Sequence, residues 1–245
     1  MDRYTVYSSE KVNREIQELE AEFKKLVKEY CVCEWQVPSL IKADILKKCG
    51  YFTSMPHQLT KVSPFLNSDE SDGYYLTPAA CLHIYPELSK QKVNNKIITT
   101  LEKVYRYESG QFYDRVRNWE FLVREFVAIG DEKFVKDFLE KMKCGALDIL
   151  KKYSIAGEVV VGNDHFYPSR YNKMAEKFQI LNKLKYELIV DNNELGKIAL
   201  SSFNFHGSHF SKTFEFDENE TVVTGCVGFG IDRWIYALNY GNSVE

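Results

Sequence analysis

The chain has 245 residues, 44% of them hydrophobic and 27% charged, and its 32 basic and 35 acidic side chains leave a formal charge of −3. With 16 Tyr, 16 Phe and 3 Trp there is apolar surface for a large core, which excludes a disordered chain. The slightly acidic balance argues against a strongly basic nucleic-acid binder.

In chain order, residues 11–29 read as an amphipathic helix, with Val12, Ile16, Leu19, Phe23, Leu26 and Val27 at three- and four-residue steps. This helix is expected to pack on its own domain or on a partner, and it is too short for a long tRNA-gripping coiled coil. Pro38 opens a second helical stretch through Cys49, which Gly50 stops. Residues 51–66 are expected to be loop and strand, 68–73 a polar turn, 74–77 a strand and 89–101 a helix. Residues 104–108 and 119–129 read as the arms of a long antiparallel hairpin. A helix over 131–152 and a short strand over 158–162 follow, and 174–184 is ambiguous between helix and strand. Strands are expected at 186–190, 197–205 and 222–230, the last running through a Gly-rich turn into a closing helix over 231–238. There is no internal repeat or low-complexity linker. The prediction is one α+β domain, an antiparallel sheet flanked by helices.

No apolar run approaches the ~18 residues of a membrane span, so no membrane partner is expected. The start Met1-Asp2-Arg3 lacks the layout of a secretory signal. Six cysteines are too sparse for a disulfide scaffold, so a reducing, cytoplasmic setting is expected.

Three features carry chemistry. Arg106-Tyr107-Glu108 ends one hairpin strand, with Arg115, Arg117 and Phe121 across from it. An arginine there can clamp a phosphate, a carboxylate can accept from an adenine amino group, and an aromatic ring can stack on the base. Gly228-Phe229-Gly230-Ile231-Asp232-Arg233 lets backbone pass close to a ligand and then presents an arginine on a helix. Cys81, Glu125 and Cys226 lie beside these two elements, and two thiolates with a carboxylate suit a zinc site with its fourth position open. Each feature alone has a structural explanation: a surface ion pair, structural glycines, core cysteines.

In order, they resemble the motifs of the class II aminoacyl-tRNA synthetase core. A closer resemblance is to the amino acid:[carrier protein] ligases, relatives of the atypical zinc-dependent seryl-tRNA synthetases. It rests on Gly50-Tyr51-Phe52 with Pro56-His57, Leu76-Thr77-Pro78-Ala79-Ala80-Cys81 and Arg124-Glu125-Phe126-Val127. Asn163-Asp164-His165-Phe166, Ser202-Phe203-Asn204-Phe205-His206 and Cys226-Val227-Gly228-Phe229-Gly230 complete the series. These strings keep family order over residues 35–240.

The resemblance implies residues 35–245 as the catalytic domain, preceded by a helical segment over 1–34, and a homodimer built on residues 38–56. It implies Zn2+ on Cys81, Glu125 and Cys226, with Cys31, Cys33, Cys49 and Cys144 left structural. Glu120 competes with Glu125, but residues five apart on a strand face opposite sides, and Arg124-Glu125-Phe126 matches the family string. ATP, with Mg2+, would meet Arg106, Glu108, Phe121, Arg233 and either Arg115 or Arg117. The amino acid, of the small kind the family takes, would meet Ala79, Ser202 and Asn204, with Arg106 and Arg233 as the catalytic pair. Asp232 stands where the class has Glu. Lys197-Ile198-Ala199-Leu200 occupies the strand on which the class holds its magnesium carboxylate.

The implied reaction activates an amino acid as its adenylate and passes it to the phosphopantetheine thiol of a carrier protein. The alternatives are a tRNA-charging enzyme of seryl type, disfavoured by the acidic charge and the short chain, and a non-catalytic paralogue that binds an adenylate or a partner. Arg170, Lys173, Lys177, Lys183 and Lys185 form a basic stretch that suits an acidic carrier protein or a solvated face.

Overall fold

The computed structural model describes residues 10–63, 73–89, 91, 93–107, 116–216 and 221–240. Its frame is a seven-stranded sheet in the order β1(Val32–Glu34)–β5(Lys96–Tyr105)–β6(Glu120–Gly130)–β10(Val223–Gly230)–β9(Gly196–Gly207)–β8(Lys185–Asn192)–β7(Glu158–Val161). All pairings are antiparallel except that of β1 with β5, so the sheet expected to be antiparallel carries one parallel edge strand. A small sheet of β2(Leu40–Lys42), β4(Tyr74–Leu76) and β3(Lys61–Val62) stands beside it.

Two apolar cores lie on the two faces. On one, α1(Glu10–Lys25), α5(Glu132–Lys152) and α8(Ile231–Tyr240) cover Phe126, Phe203, Val227 and Phe229. The first helix packs on its own domain: Leu19 and Phe23 are wholly buried, and Phe23 stacks on Phe229 with ring centroids 4.1 Å apart. Arg124, also buried, donates from Nε to Glu20 of α1 at 3.0 Å and from Nη1 to Glu34 of β1 at 2.9 Å. The other face packs under the small sheet, α4(Ile84–Glu87) and α7(His209–Thr213), with Tyr85, Ile98, Val127 and Phe210 inside. Among the described residues no helix is long and apolar enough to cross a membrane.

Several expectations change. Residues 89–101 were expected to be helical; the β-branched run Ile97-Ile98-Thr99-Thr100 instead lies within β5. The stretch from Pro38 is β2 followed by the short α2(Ala43–Lys48), which ends at Gly50 with φ 75°. Residues 51–58 wind into α3(Tyr51–Ser54) and a 3-10 turn, Pro56–Gln58, rather than loop and strand. The ambiguous 174–184 belongs to the helix α6(Arg170–Leu181), capped by Ser169 Oγ accepting from Asn172 N at 3.0 Å. The 68–73 turn lies outside the described residues except for Gly73. The expected hairpin forms between β5 and β6, but its first arm runs over Lys96–Tyr105 and shares only residues 104–105 with the expected 104–108.

Candidate active site

Strand register assembles the site. Gly228 of β10 pairs with Glu125 of β6 on one side and Ser202 of β9 on the other, and Cys226 pairs with Asn204. Cross-strand partners share a face, and residues two apart on one strand share it too. Glu125, Cys226, Gly228, Ser202 and Asn204 therefore face one way, away from α1, α5 and α8. The glycine is needed there. A Cβ on Gly228 would lie 3.1 Å from Glu125 Oε2 and 3.5 Å from Ser202 Oγ.

Cys81, from the 3-10 turn Ala80–His83, descends onto this row. One donor atom from each of Cys81, Glu125 and Cys226 lies within 4.8 Å of the others, and all three residues are buried. They are the one such group among the described residues. Burial pushes the Glu125 carboxyl up, opposed by hydrogen bonding with Cys226 and by the Arg106 charge. The Cys226 thiol is raised by its hydrogen bond with Cys81 and by burial. Two thiols and a carboxyl gathered away from water fit a metal ion held by three protein ligands, the ion taking the place of their protons. Glu120 points elsewhere and meets Lys103 at 2.9 Å on the surface.

A cavity of about 520 Å³ opens over the triad, walled by Tyr51, Ala79, Arg106, Asp164, Asn204 and His206 among others. A second, of about 100 Å³, adjoins it and is lined by Arg106, Phe121, Glu187, Gly228, Gly230 and Arg233. Ala79, Arg106, Glu125, Lys185 and Ser202 border both. Arg106 is held by Nε donating to Pro78 O at 2.9 Å, and its guanidinium sits 5.4 Å from the Phe121 ring centroid. Arg233 donates from Nε to Val116 O at 2.7 Å and from Nη1 to Ala199 O at 2.9 Å. Asp232 accepts from Leu122 N at 2.7 Å, tying α8 to β6; burial raises its carboxyl.

The structure thus brings together Ala79, Cys81, Arg106, Phe121, Glu125, Ser202, Asn204, Cys226 and Arg233 of the expected residues. Glu108 and Arg115 lie outside the described residues. Arg117 is described, but it is absent from the lining of both cavities.

Other residues escaped the sequence. Cys49, expected to be structural, lines the larger cavity, its thiol pushed up to about 12 by burial and the neighbouring Cys81. Lys185 was expected on a basic surface and is instead 8% exposed, pairing with Asp164 at 2.8 Å and Glu187 at 3.1 Å. Burial works to raise the Asp164 carboxyl, yet Lys185 and the Gln179 amide hold it below its ordinary range. Through these bonds the segment before α6 is fixed over the cavity, and Asn172 of α6 donates to Thr53 O at 3.0 Å and Tyr167 O at 2.7 Å. No short pattern announces these residues except the string around Asp164.

No protein-family model matches the chain. The type-2 serine–tRNA ligase of Methanococcus aeolicus is 27% identical over 261 residues, covering 89% of this chain and 50% of that protein. Amino acid–[acyl-carrier-protein] ligase 2 of Bradyrhizobium diazoefficiens is 31% identical over 227 residues, covering 82% of this chain and 67% of that protein. The chain thus spans about half the length of the serine–tRNA ligase and two thirds of the carrier-protein ligase. Among solved structures, M. kandleri SerRS in complex with A. aeolicus tRNASec matches with a TM-score of 0.75 over 93% of this chain and 51% of that one, at 21% identity. That likeness establishes the fold as the class II aminoacyl-tRNA synthetase core. With the 31% identity over most of its length, the chain belongs to the family of the amino acid–[acyl-carrier-protein] ligases, relatives of the type-2 serine–tRNA ligases.

Proposed function

We propose that the chain activates an amino acid with ATP and transfers it to the phosphopantetheine thiol of a carrier protein. The observation that carries this reading is the meeting of two cavities at Arg106: one over a buried Cys–Glu–Cys triad, one between Phe121 and Arg233. An amino acid in the first and a nucleotide in the second would bring carboxylate and α-phosphorus together at the shared wall.

Cys81, Glu125 and Cys226 would hold Zn2+, whose open position supplies a Lewis-acid site for the substrate's free amino group, favouring it over a hydroxyl. Arg106, borrowed by both cavities, neutralises charge as the substrate carboxylate displaces pyrophosphate. Arg233 binds the outer phosphates, Phe121 stacks on the adenine beside Glu108, and either Arg115 or Arg117 completes the phosphate contacts. Ala79, Ser202 and Asn204 bound the amino-acid side. Magnesium on the nucleotide would find a carboxylate at Glu187 of β8, because Ala199 is what the neighbouring strand offers to the cavity.

The acceptor part rests on α6. Its Tyr171, Asn172, Ala175 and Gln179 line the amino-acid cavity, while Met174, Phe178 and Leu181 are exposed beside Arg170, Lys173 and Lys177. An apolar, basic helix at the cavity mouth suits an acidic carrier protein. The similarity to serine–tRNA ligases favours tRNA as a second reading. In the catalytic reading, residues 35–245 act as a homodimer formed through 38–56, which sedimentation checks.

Pyrophosphate exchange across the amino acids tests activation; silence with metal-replete protein would refute it. Labelled amino acid offered to a phosphopantetheinylated carrier protein and to total tRNA should appear on the carrier. Label on tRNA alone would replace the first reading by the second.

A further inference from the structure

Ser202, Asn204 and His206 alternate down one face of β9, from the nucleotide end of the site past the thiols to the far end of the larger cavity. His206 lies roughly 7 Å along the strand from Asn204, the partner of Cys226. The strand bulges there. Gly225 pairs with Phe205 and Thr224 with Gly207, so His206 is left without a partner across the ladder. Such a bulge re-aims a side chain, and Gly207 closes this one with φ 56°. The two ring nitrogens differ in their surroundings. Nδ1 lies 3.1 Å from the Thr224 hydroxyl and 3.4 Å from that of Tyr85. Thr224 is wholly buried and its hydroxyl has no other side-chain partner among the described residues, so its proton goes to Nδ1. Desolvation keeps the ring neutral, and a neutral imidazole that accepts at Nδ1 carries its proton on Nε2. Among the described residues Nε2 is bonded to nothing. With its Nδ1 edge turned to Thr224 and Tyr85, the half-buried ring presents its Nε2–H edge to the cavity it lines.

We propose that the Nε2–H of His206 donates a hydrogen bond to an amide carbonyl of the acceptor's pantetheine arm and holds the arm while its thiol reaches the triad. This rests on the carrier-protein reading of the site. Two placements favour the arm over the amino acid as the owner of that carbonyl. Phe205 N donates to Leu184 O at 2.8 Å, so His206 lies beside the turn that leads from α6 into β8, and an arm running from α6 to the triad passes it. The cavity, at about 520 Å³, is also larger than a small amino acid fills, and His206 stands at its end away from the nucleotide. The arm is a run of methylenes interrupted by amides. Leu82, Phe210 and Tyr51 in the cavity wall suit the methylenes, and an N–H set among them suits a carbonyl. A thiol without an amide leaves that donor unpaired and binds less well.

A series of free thiols tests this on the whole chain. Adenylate formed on the enzyme is chased with pantetheine, with N-acetylcysteamine, which keeps an amide carbonyl, and with cysteamine, which has none. Its consumption gives a KM for each thiol. Wild type should show the lower KM values for the two amides. His206→Leu should raise those values about 3–10-fold, in KM more than in kcat, and leave that of cysteamine in place. His206→Gln, which keeps an acceptor for Thr224 and an N–H, should recover most of the loss. An equal effect on every thiol, or none, would overturn the proposal. So would a change in which amino acids support pyrophosphate exchange, because the donor would then serve the amino-acid side chain. Should His206→Leu not fold, the wild-type series decides: a KM for cysteamine no higher than that for N-acetylcysteamine overturns it. Adenylate that forms and that no thiol consumes would refute the carrier-protein reading, and the proposal with it.

Discussion

Phe23 of the N-terminal helix stacks on Phe229, the residue between Gly228 and Gly230, with 4.1 Å between ring centroids and 19° between planes. The helix is thereby part of the floor beneath the strand that carries Cys226. Trp234 closes the group edge-on, 5.3 Å from Phe23. Truncation of the Phe23 ring leaves a void beneath β10. Phe23→Ala should cost about 3–5 kcal/mol in denaturant unfolding. A loss below about 1 kcal/mol would show that the helix is peripheral to the core.

Gly228→Ala tests the crowding around Glu125. The new methyl carbon would stand 3.1 Å from Glu125 Oε2, closer than carbon and oxygen sit without one moving. The carboxylate should be displaced, and zinc affinity should fall about tenfold while unfolding midpoints change little. Unchanged competition against a chelator would place the metal away from Glu125.

Arg106→Ala removes one of the two cations, with Lys185, that border both cavities. Pyrophosphate exchange should fall about 10²–10³-fold, in kcat more than in KM for either substrate. Wild-type turnover in this variant would dissociate Arg106 from the developing charge.

His206 gives a pH signature. Burial pushes its pKa down to about 3, whereas the unfolded chain takes up that proton near pH 6.5. The stability this neutral histidine contributes is complete above about pH 6.5 and is lost as pH falls toward its folded value, by up to about 1.4 kcal/mol per pH unit. His206→Gln should flatten the acid side of a stability profile measured between about pH 4 and pH 7. A profile of unchanged slope would mean that the folded protein protonates His206 as readily as the unfolded one.

Much of this site could be read from the chain because its chemistry is written in short strings on strands. Alternation along one strand allows only one of Glu120 and Glu125 at the site, the string Arg124-Glu125-Phe126 selects the second, and β6 puts Glu125 in the triad and Glu120 on the surface with Lys103. Arg124 was legible as part of a string but not as a bond: its partners Glu20 and Glu34 are 104 and 90 residues away, and only folding brings them to it. Lys185 failed for a related reason. In sequence it extends a run of basic residues, and the carboxylates of Asp164 and Glu187 that draw it inside come from a loop and from its own strand. The helix expected at 89–101 gives way to β5 from Lys96 onward, where the β-branched run Ile97-Ile98-Thr99-Thr100 prefers a pleat.

Arg124 and Glu125 are consecutive, and they leave β6 on opposite faces, one beneath the N-terminal helix and one among the thiols. A slip of this strand by a single residue would exchange them. Where the slip brings the arginine to the place meant for a cation, it carries the glutamate into the apolar layer beside Phe229, where Phe126 belongs. Both errors are costly at once, so neighbouring registers offer the folding chain no comfortable resting place. Two adjacent letters, opposite in charge, act as a spelling check on the alignment of the whole central sheet.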